Sequence, residues 1–281
     1  MPYAAPMEEV HALREFIARH SRLFILTGAG CSTDSGIPDY RDADGEWKRA
    51  QPVQFRSFMD DPHTRRRYWA RSLVGWRRFG LAKPNDAHRA LAALERQGRV
   101  GLLVTQNVDR LHQAAGSSAV VDLHGRLDTV RCMGCERRLS REELQQELRS
   151  RNPDWVDLDA RVAPDGDADL HGVDFSGFAV PECEHCGGVL KPDVVFYGES
   201  VPRERVTTAM QAVAEADAML VVGTSLMVYS GYRFAREAAA AGKPIATVNL
   251  GRTRADDLVS LKVTQSCGTA LSFLLEDSRA A

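Results

Sequence analysis

The chain of 281 residues is long enough for one large α/β domain, or for a large domain carrying a small satellite. Its 36 Lys and Arg against 38 Asp and Glu leave a formal net charge of −2, which excludes a global attraction to nucleic acid or to an anionic membrane. The N-terminus lacks the basic segment and apolar core of a secretory signal and no apolar run is long enough to span a bilayer, so a cytoplasmic protein is expected.

In chain order, EEVHALREFIARH places Val10, Leu13, Phe16 and Ile17 at helical spacing and predicts a first helix. LFILT, from Leu23, reads as a strand that runs into Gly28, Ala29 and Gly30. VGLLVT, AVVDL, VVFYG, AMLVVG and PIATVNL read as further strands. Helix candidates lie between them: DAHRALAALERQ with Asn85 or Asp86 as its cap, RERVTTAMQAVAEA, and YRFAREAAAAG, stopped by Gly242. Continuous apolar strands separated by helices predict an α/β fold with a mostly parallel sheet covered on both faces. Residues 45–83, rich in Arg and Trp, and residues 131–188, which hold four paired cysteines, break this rhythm. They read as a helical module and a metal-binding module forming a smaller domain, which leaves 1–44, 84–130 and 189–281 as the body.

Polar and small residues gather where the strands end. Gly28 follows LFILT; Gln106, Asn107 and Asp109 follow VGLLVT; His124 follows AVVDL. Gly223, Thr224 and Ser225 close AMLVV, and Asn249 with Gly251 closes PIATV. Open parallel sheets bind ligands at the carboxyl ends of their strands, so five such endings point to one ligand edge.

Cys132 and Cys135 in RCMGC, with Cys183 and Cys186 in CEHCGG, give two Cys-x-x-Cys pairs beside Gly134, Gly187 and Gly188. Each pair can present two thiolates to one tetrahedral ion, and four thiolates leave no open position. A structural zinc is expected rather than a catalytic one or a redox dithiol. Cys31 and Cys267 read as reduced thiols.

After Gly28 and Gly30, Thr33 stands where a dinucleotide fingerprint would carry a third glycine, and Gly36 and Pro38 cut the following helix short. Asp39 and Arg41 arrive next. A diphosphate suits backbone N–H groups plus a guanidinium, whereas an ordinary strand–helix connection needs neither charge. Thr224 and Ser225 add donors, and Asn249 can bond ribose hydroxyls. Asn107 and Asp109 can together bond a carboxamide; the plainer role for either is a helix cap. His124, with Gly125 beside it, is favoured as general base by position, over His112 and His88, which are placed for packing or backbone bonding. RRRYWARSLVGWRR reads as a solvated helix face rather than a nucleic-acid patch, and its Tyr68 and Arg71 share one face that could meet an acidic acyl group.

GAGCSTDSGIPDYR, TQNVD, LHG, the two cysteine pairs, KPDVVFYGE and GTS, in this order from about Leu23 to Leu274, resemble the sirtuins, NAD-dependent protein deacylases. YWAR, APDGD, VYSGYRF and TRADDLVSLK resemble the class II branch. The resemblance implies a Rossmann-like, doubly wound NAD-binding domain and a smaller zinc-ribbon plus helical domain, with NAD and an acyl-lysine peptide between them. Gly28, Ala29 and Gly30 would cradle the diphosphate under a mobile loop bearing Asp39 and Arg41. Asn107 and Asp109 would hold the nicotinamide end, and Gln106 would be a further cofactor-binding residue. Gly223, Thr224 and Ser225 would add cofactor contacts, and Asn249, Leu250, Gly251 and Cys267 would line the adenosine site. Val194, Val195, Phe196, Tyr197, Gly198 and Glu199 would pair with the substrate backbone.

By the same resemblance, the acyl oxygen attacks C1′ of the ribose as nicotinamide leaves, with Asn107 and His124 as the catalytic side chains. His124 deprotonates a ribose hydroxyl, and O-acyl-ADP-ribose and free lysine result. Tyr68 and Arg71 have the Tyr-x-x-Arg spacing of the desuccinylating branch, which implies a preference for longer or carboxylated acyl groups. The expected partner is an acylated lysine of a protein, with no nucleic acid and no membrane, and the chain is expected to be a monomer. Competing readings are a protein mono-ADP-ribosyltransferase, with the same nicotinamide cleavage, and a non-catalytic NAD or ADP-ribose sensor, which would have no need of a base.

Overall fold

A computed structural model describes residues 6–48, 52–158, 166–168, 170 and 172–277. Helix α1 (Pro6–Arg19) leads into β1 (Leu23–Thr27), and α2 (Phe55–Asp60), α3 (Pro62–Phe79) and α4 (Asp86–Arg96) precede β2 (Val100–Thr105). Next come α5 (Leu111–Ala114), β3 (Val120–Asp122), β4 (Gly125–Cys132), β5 (Arg138–Ser140), α6 (Arg141–Arg151) and β6 (Leu190–Val194). The chain finishes through α7 (Arg203–Glu215), β7 (Ala218–Val222), α8 (Tyr229–Ala240), β8 (Ile245–Val248), β9 (Leu261–Val263), α9 (Cys267–Leu271) and α10 (Phe273–Asp277).

Six strands form one sheet in the order β3-β2-β1-β7-β8-β9, and all its pairings are parallel. The apolar run of β1 explains its central place. Successive side chains of a strand point to opposite faces, so LFILT must be covered twice. Leu23 and Ile25 pack with Leu13, Phe16 and Leu91 on one face; Phe24 and Leu26 pack with Val213, Phe234 and Ala235 on the other. The fold is therefore α/β, Rossmann-like and doubly wound, as expected. Strand order reverses between β1 and β7, which opens a crevice at their carboxyl ends.

The helices start where their caps allow. Asn85, not Asp86, caps α4, accepting from the Ala87 and His88 N–H groups while the His88 ring returns a bond to the Asn85 backbone. His88 and His112 lie deep beneath β1, their rings 4.7 Å apart, with His112 Nε2 2.9 Å from Thr27 Oγ1. Burial pushes His88 down to about 4, helped by Arg89, and pushes His112 down as well.

The expected strand VVFYG does not join the parallel sheet. Its first residue, Val194, ends β6, and the sequence before it, LKPD, supplies the rest of that strand. β6 pairs antiparallel with β4 in a second sheet of order β5-β4-β6. The partner, GRLDTVRC, sets only Leu127, Val130 and Cys132 apart as buried apolar residues, too sparse a pattern to announce a strand. β9, only three residues long, also lacked a signal.

The second core gathers Phe58, Tyr68, Trp69, Leu73, Leu144, Leu148 and Phe178 around this sheet. Helix α3 owes its start to Asp61, which accepts from the His63 and Thr64 N–H groups, with Pro62 in the first turn. Several of its basic residues are spent internally. Arg65 donates to the Phe58 and Met59 carbonyls, Arg71 to Ala168, and Arg77 to Val156 and Leu158. Arg141, 1% exposed, lies over the Trp69 and Trp76 rings and donates to Ser72. A Cβ on Gly75 would meet the Gly166 carbonyl oxygen at 2.2 Å, so α3 touches backbone there.

Cys132, Cys135, Cys183 and Cys186 bring their sulfurs within 4.8 Å of one another. The Cys132–Cys186 and Cys135–Cys183 separations are 3.5 and 3.8 Å, close to the ~3.8 Å edge of a tetrahedron with Zn–S near 2.3 Å. The Gly134 and Cys135 N–H groups point at Cys132 Sγ, as suits a thiolate. The four residues fit one structural zinc.

Removing a ligand with Cys183→Ala should abolish bound zinc, as metal analysis would read, and β4, β5 and β6 should lose amide protection before the six-stranded sheet does. The two buried histidines carry a pH prediction. The unfolded chain binds their protons near 6.5 and the folded chain only far lower, so stability is intact above pH 6.5 and drains away as pH falls toward 4. Urea midpoints should drop across that window, each histidine adding up to ~1.4 kcal/mol per pH unit, and His112→Gln should flatten the slope.

Candidate active site

A cavity of about 930 Å³ opens at the carboxyl ends of β1, β2, β7 and β8, a volume suited to a large ligand. Its floor is the meeting of two turns. Gly30 N–H donates to the Gly223 carbonyl at 2.8 Å, and Gly28 N–H to Val222 at 3.2 Å. A Cβ on Gly28 would stand 2.6 Å from Thr224 Cβ, and one on Gly223, whose φ is +63°, would stand 2.3 Å from the Cys31 nitrogen. Only glycine allows backbone to approach backbone so closely. Past this contact the chain makes two 3-10 turns, Ala29–Cys31 and Thr33–Ser35, ended by Gly36 at φ +82°. The broken helix foreseen from Gly36 and Pro38 is present.

One network ties the floor to the end of β2. Asn107 Nδ2 donates to the Gly28 carbonyl and to Ser32 Oγ, both at 3.0 Å. Ser32 Oγ donates to Asp109 at 2.7 Å, and Asp109 also accepts the Leu111 N–H at the start of α5. Asp109 thus serves a helix start as well as the cavity, and burial raises its pKa. Asn107 is 9% exposed and caps no helix. Gln106 Nε2 donates to Thr224 Oγ1 at 3.0 Å and to the Thr27 carbonyl.

His124 sits between β3 and β4, facing the same cavity. Gly125, at φ +87°, leaves no room for a Cβ, which would strike the Asp193 carbonyl oxygen at 2.0 Å. His124 Nδ1 lies 3.1 Å from the Gln106 carbonyl and Nε2 2.7 Å from Ser230 Oγ. A carbonyl only accepts, so the proton belongs on Nδ1 and the lone pair on Nε2. Burial pushes this imidazole down to about 4, with Arg205 and Arg233 adding in the same direction. The ring is neutral at pH 7.

The remaining predicted residues line the same space. Arg41 lies 4.0 Å above the Trp47 ring and donates to the Gly45 carbonyl, and Asp39 pairs with Lys48 at 2.6 Å. Ala29, Ser225, Asn249, Leu250, Gly251 and Cys267 are lining residues too, Leu250 being 66% exposed. Burial pushes the Cys267 thiol up to about 12. A Cβ on Gly251 would meet the Ala43 carbonyl oxygen at 2.5 Å, so the Asp39–Lys48 loop leans on the end of β8.

Opposite lies the segment from Val194 through Val195, Phe196, Tyr197 and Gly198 to Glu199. Val195 N–H donates to the His124 carbonyl at 2.8 Å. Glu199 accepts the Phe196 N–H at 2.9 Å and pairs with the buried Lys191 at 3.0 Å. Tyr68 lines the cavity edge-on to Phe196. Arg71 is not among the lining residues: it donates to the Ala168 carbonyl at 2.8 Å and lies 3.8 Å from Asp167. The structure thus gathers the sequence-derived residues except Arg71, with the four cysteines apart in their own cluster. Sequence reasoning passed over Ser32, Trp47, Ser230 and Arg233, all in the lining. Ser32 and Ser230 stood inside quoted motifs, and a lone serine there carries no signal beyond its neighbours.

The residues fit a dinucleotide: glycines that a Cβ would close, amide and hydroxyl groups at four strand ends, and room for the ligand. A family model described as the Sir2 family matches residues 28–230. The NAD-dependent protein deacetylase 2 of Bradyrhizobium diazoefficiens is 66% identical over 264 residues, covering 94% of this chain and 97% of that one. The NAD-dependent protein deacetylase of Xanthomonas campestris pv. campestris strain 8004 is 69% identical over 263 residues, covering 94% and 90%. A solved structure described as "Sir2-p53 peptide-NAD+" aligns with TM-score 0.76 at 30% identity, covering 96% of this chain and 98% of that one. On the glycine turn, the four-cysteine cluster, the doubly wound sheet and these matches, the chain belongs to the Sir2 family, the sirtuins.

Proposed function

We propose that the chain is an NAD-dependent protein lysine deacylase that removes acetyl groups from lysine side chains. One observation carries this reading: a neutral imidazole, its lone pair on Nε2, faces a cavity whose floor is a backbone-to-backbone glycine turn. NAD, when bound, supplies the ribose carbon that accepts the acyl oxygen and the hydroxyl that carries the acyl group away.

This chain's own residues do the rest. Gly28, Ala29 and Gly30, with Thr224 and Ser225, hold the diphosphate, and Asn249, Leu250, Gly251 and Cys267 hold the adenosine end. Asn107 and Asp109, tied together through Ser32, orient the carboxamide. His124 takes the hydroxyl proton at Nε2 while Nδ1–H stays on the Gln106 carbonyl. Residues Val194 to Glu199 offer backbone groups to an extended peptide, fixed from below by the Lys191–Glu199 pair. Phe196 and Tyr68 keep that wall apolar. Zinc in the four-cysteine cluster is structural, since four thiolates close its coordination sphere. A sensor would gain nothing from a base poised in this tautomer.

The geometry favours acetyl over carboxylated acyl groups. Arg71, the cation that the Tyr-x-x-Arg spacing offers to a carboxylate, is engaged by Asp167, whose side chain is 1% exposed. Arg71 also donates to the Ala168 carbonyl, so turning it toward an acyl carboxylate would break both contacts.

His124→Ala should lower acetyl-lysine peptide turnover by about 10²- to 10⁴-fold while NAD affinity, by calorimetry, moves less than about threefold. Undiminished turnover would show the base to be misassigned. On a peptide panel, acetyl-lysine should be cleaved faster than glutaryl- or lipoyl-lysine; faster glutaryl removal would return Arg71 to the acyl site.

A further inference from the structure

The motif VYSGYRF places Ser230 in the first turn of α8, where it lines the cavity. Its hydroxyl is 2.7 Å from His124 Nε2, the nitrogen that the deacylase reading assigns to proton removal. Because Nδ1–H is committed to the Gln106 carbonyl, Nε2 has no proton to give, and Ser230 Oγ–H must be the donor. Two bonds on opposite edges of the ring then fix both its tautomer and its orientation. In a ring flipped by 180°, carbon atoms would replace both nitrogens in these contacts.

We infer that Ser230 is a positioning residue for the base: its hydroxyl holds the His124 lone pair aimed into the cavity and gives way to the substrate hydroxyl. This rests on the reading of His124 as the base. The proton accounting is simple. Ser230 keeps its own proton throughout; the substrate hydroxyl replaces it as donor to Nε2 and passes its proton there, forming an imidazolium still bonded to the Gln106 carbonyl.

The charged groups that face this ring act in the same sense as the serine. Arg205 from α7 donates to the Leu123 carbonyl at 3.5 Å, and Arg233 from α8 has a buried Nε without a partner among the described residues. Both guanidiniums disfavour a positive charge on the imidazole. A hydroxyl donating to Nε2 also favours the neutral ring, since an imidazolium has no lone pair there to accept it. Neither arginine fixes the direction of the ring; that falls to Ser230 and the Gln106 carbonyl.

The test compares Ser230→Ala and Ser230→Thr with the wild-type holoenzyme, zinc in place. In Ser230→Ala the His124 pKa, read by NMR on labelled histidine, should rise by about half a unit to one unit. Acetyl-lysine peptide turnover should fall about three- to tenfold with the KM for NAD and the Tm unchanged. Threonine keeps the hydroxyl and should restore both pKa and turnover. An alanine variant with wild-type pKa and turnover would overturn the proposal. So would a threonine variant as impaired as alanine, because that result assigns Ser230 to packing. His124→Gln, measured in parallel, separates the two levels of the argument. If it is inactive while Ser230→Ala is normal, only the positioning role fails; if it stays active, the base assignment fails and the positioning role with it.

Discussion

The cleft depends on the contact between the turn after β1 and the turn after β7. Gly30 donates to Gly223 across the point where strand order reverses, and the two backbones meet with no side chain between them. A larger residue at either turn would push β1 from β7 at its carboxyl end, and the Thr224 and Gln106 contacts would separate with it. Three polar side chains of the cavity are referenced to that floor. Asn107 reaches it through the Gly28 carbonyl, Gln106 through Thr224, and His124 through the Gln106 carbonyl. The His124 ring is therefore two hydrogen bonds from the glycines, through Gln106 to Thr224, which is joined to Gly223.

Much of this was legible in the sequence because its causes are local. LFILT announced a strand covered on both faces, Gly28 and Gly30 a turn suited to a diphosphate, and Gly36 with Pro38 a truncated helix. The two Cys-x-x-Cys pairs stated their chemistry outright, since the spacing is itself the ligand geometry. His124 was singled out by its place at a strand end, and the cavity lies there.

What was not legible depends on contacts distant in sequence. VVFYG has the composition of a parallel strand, and only the antiparallel partner at Gly125–Cys132 draws its beginning into another sheet. Arg71 has the Tyr-x-x-Arg spacing, and its contacts with the Ala168 carbonyl and Asp167, almost a hundred residues on, could not be read from that spacing. RRRYWARSLVGWRR looked like a solvated face, whereas Arg65, Arg71 and Arg77 stitch the helix to carbonyls of the smaller core. In each case composition named the side chain and topology chose its partner.

The bond from Val195 N–H to the His124 carbonyl has a mechanical meaning. The edge on which a peptide would lie and the residue that would do its chemistry are neighbours on one rung of backbone, so neither can shift without dragging the other. Target seat and reacting ring would thus share one frame, held by a single main-chain bond.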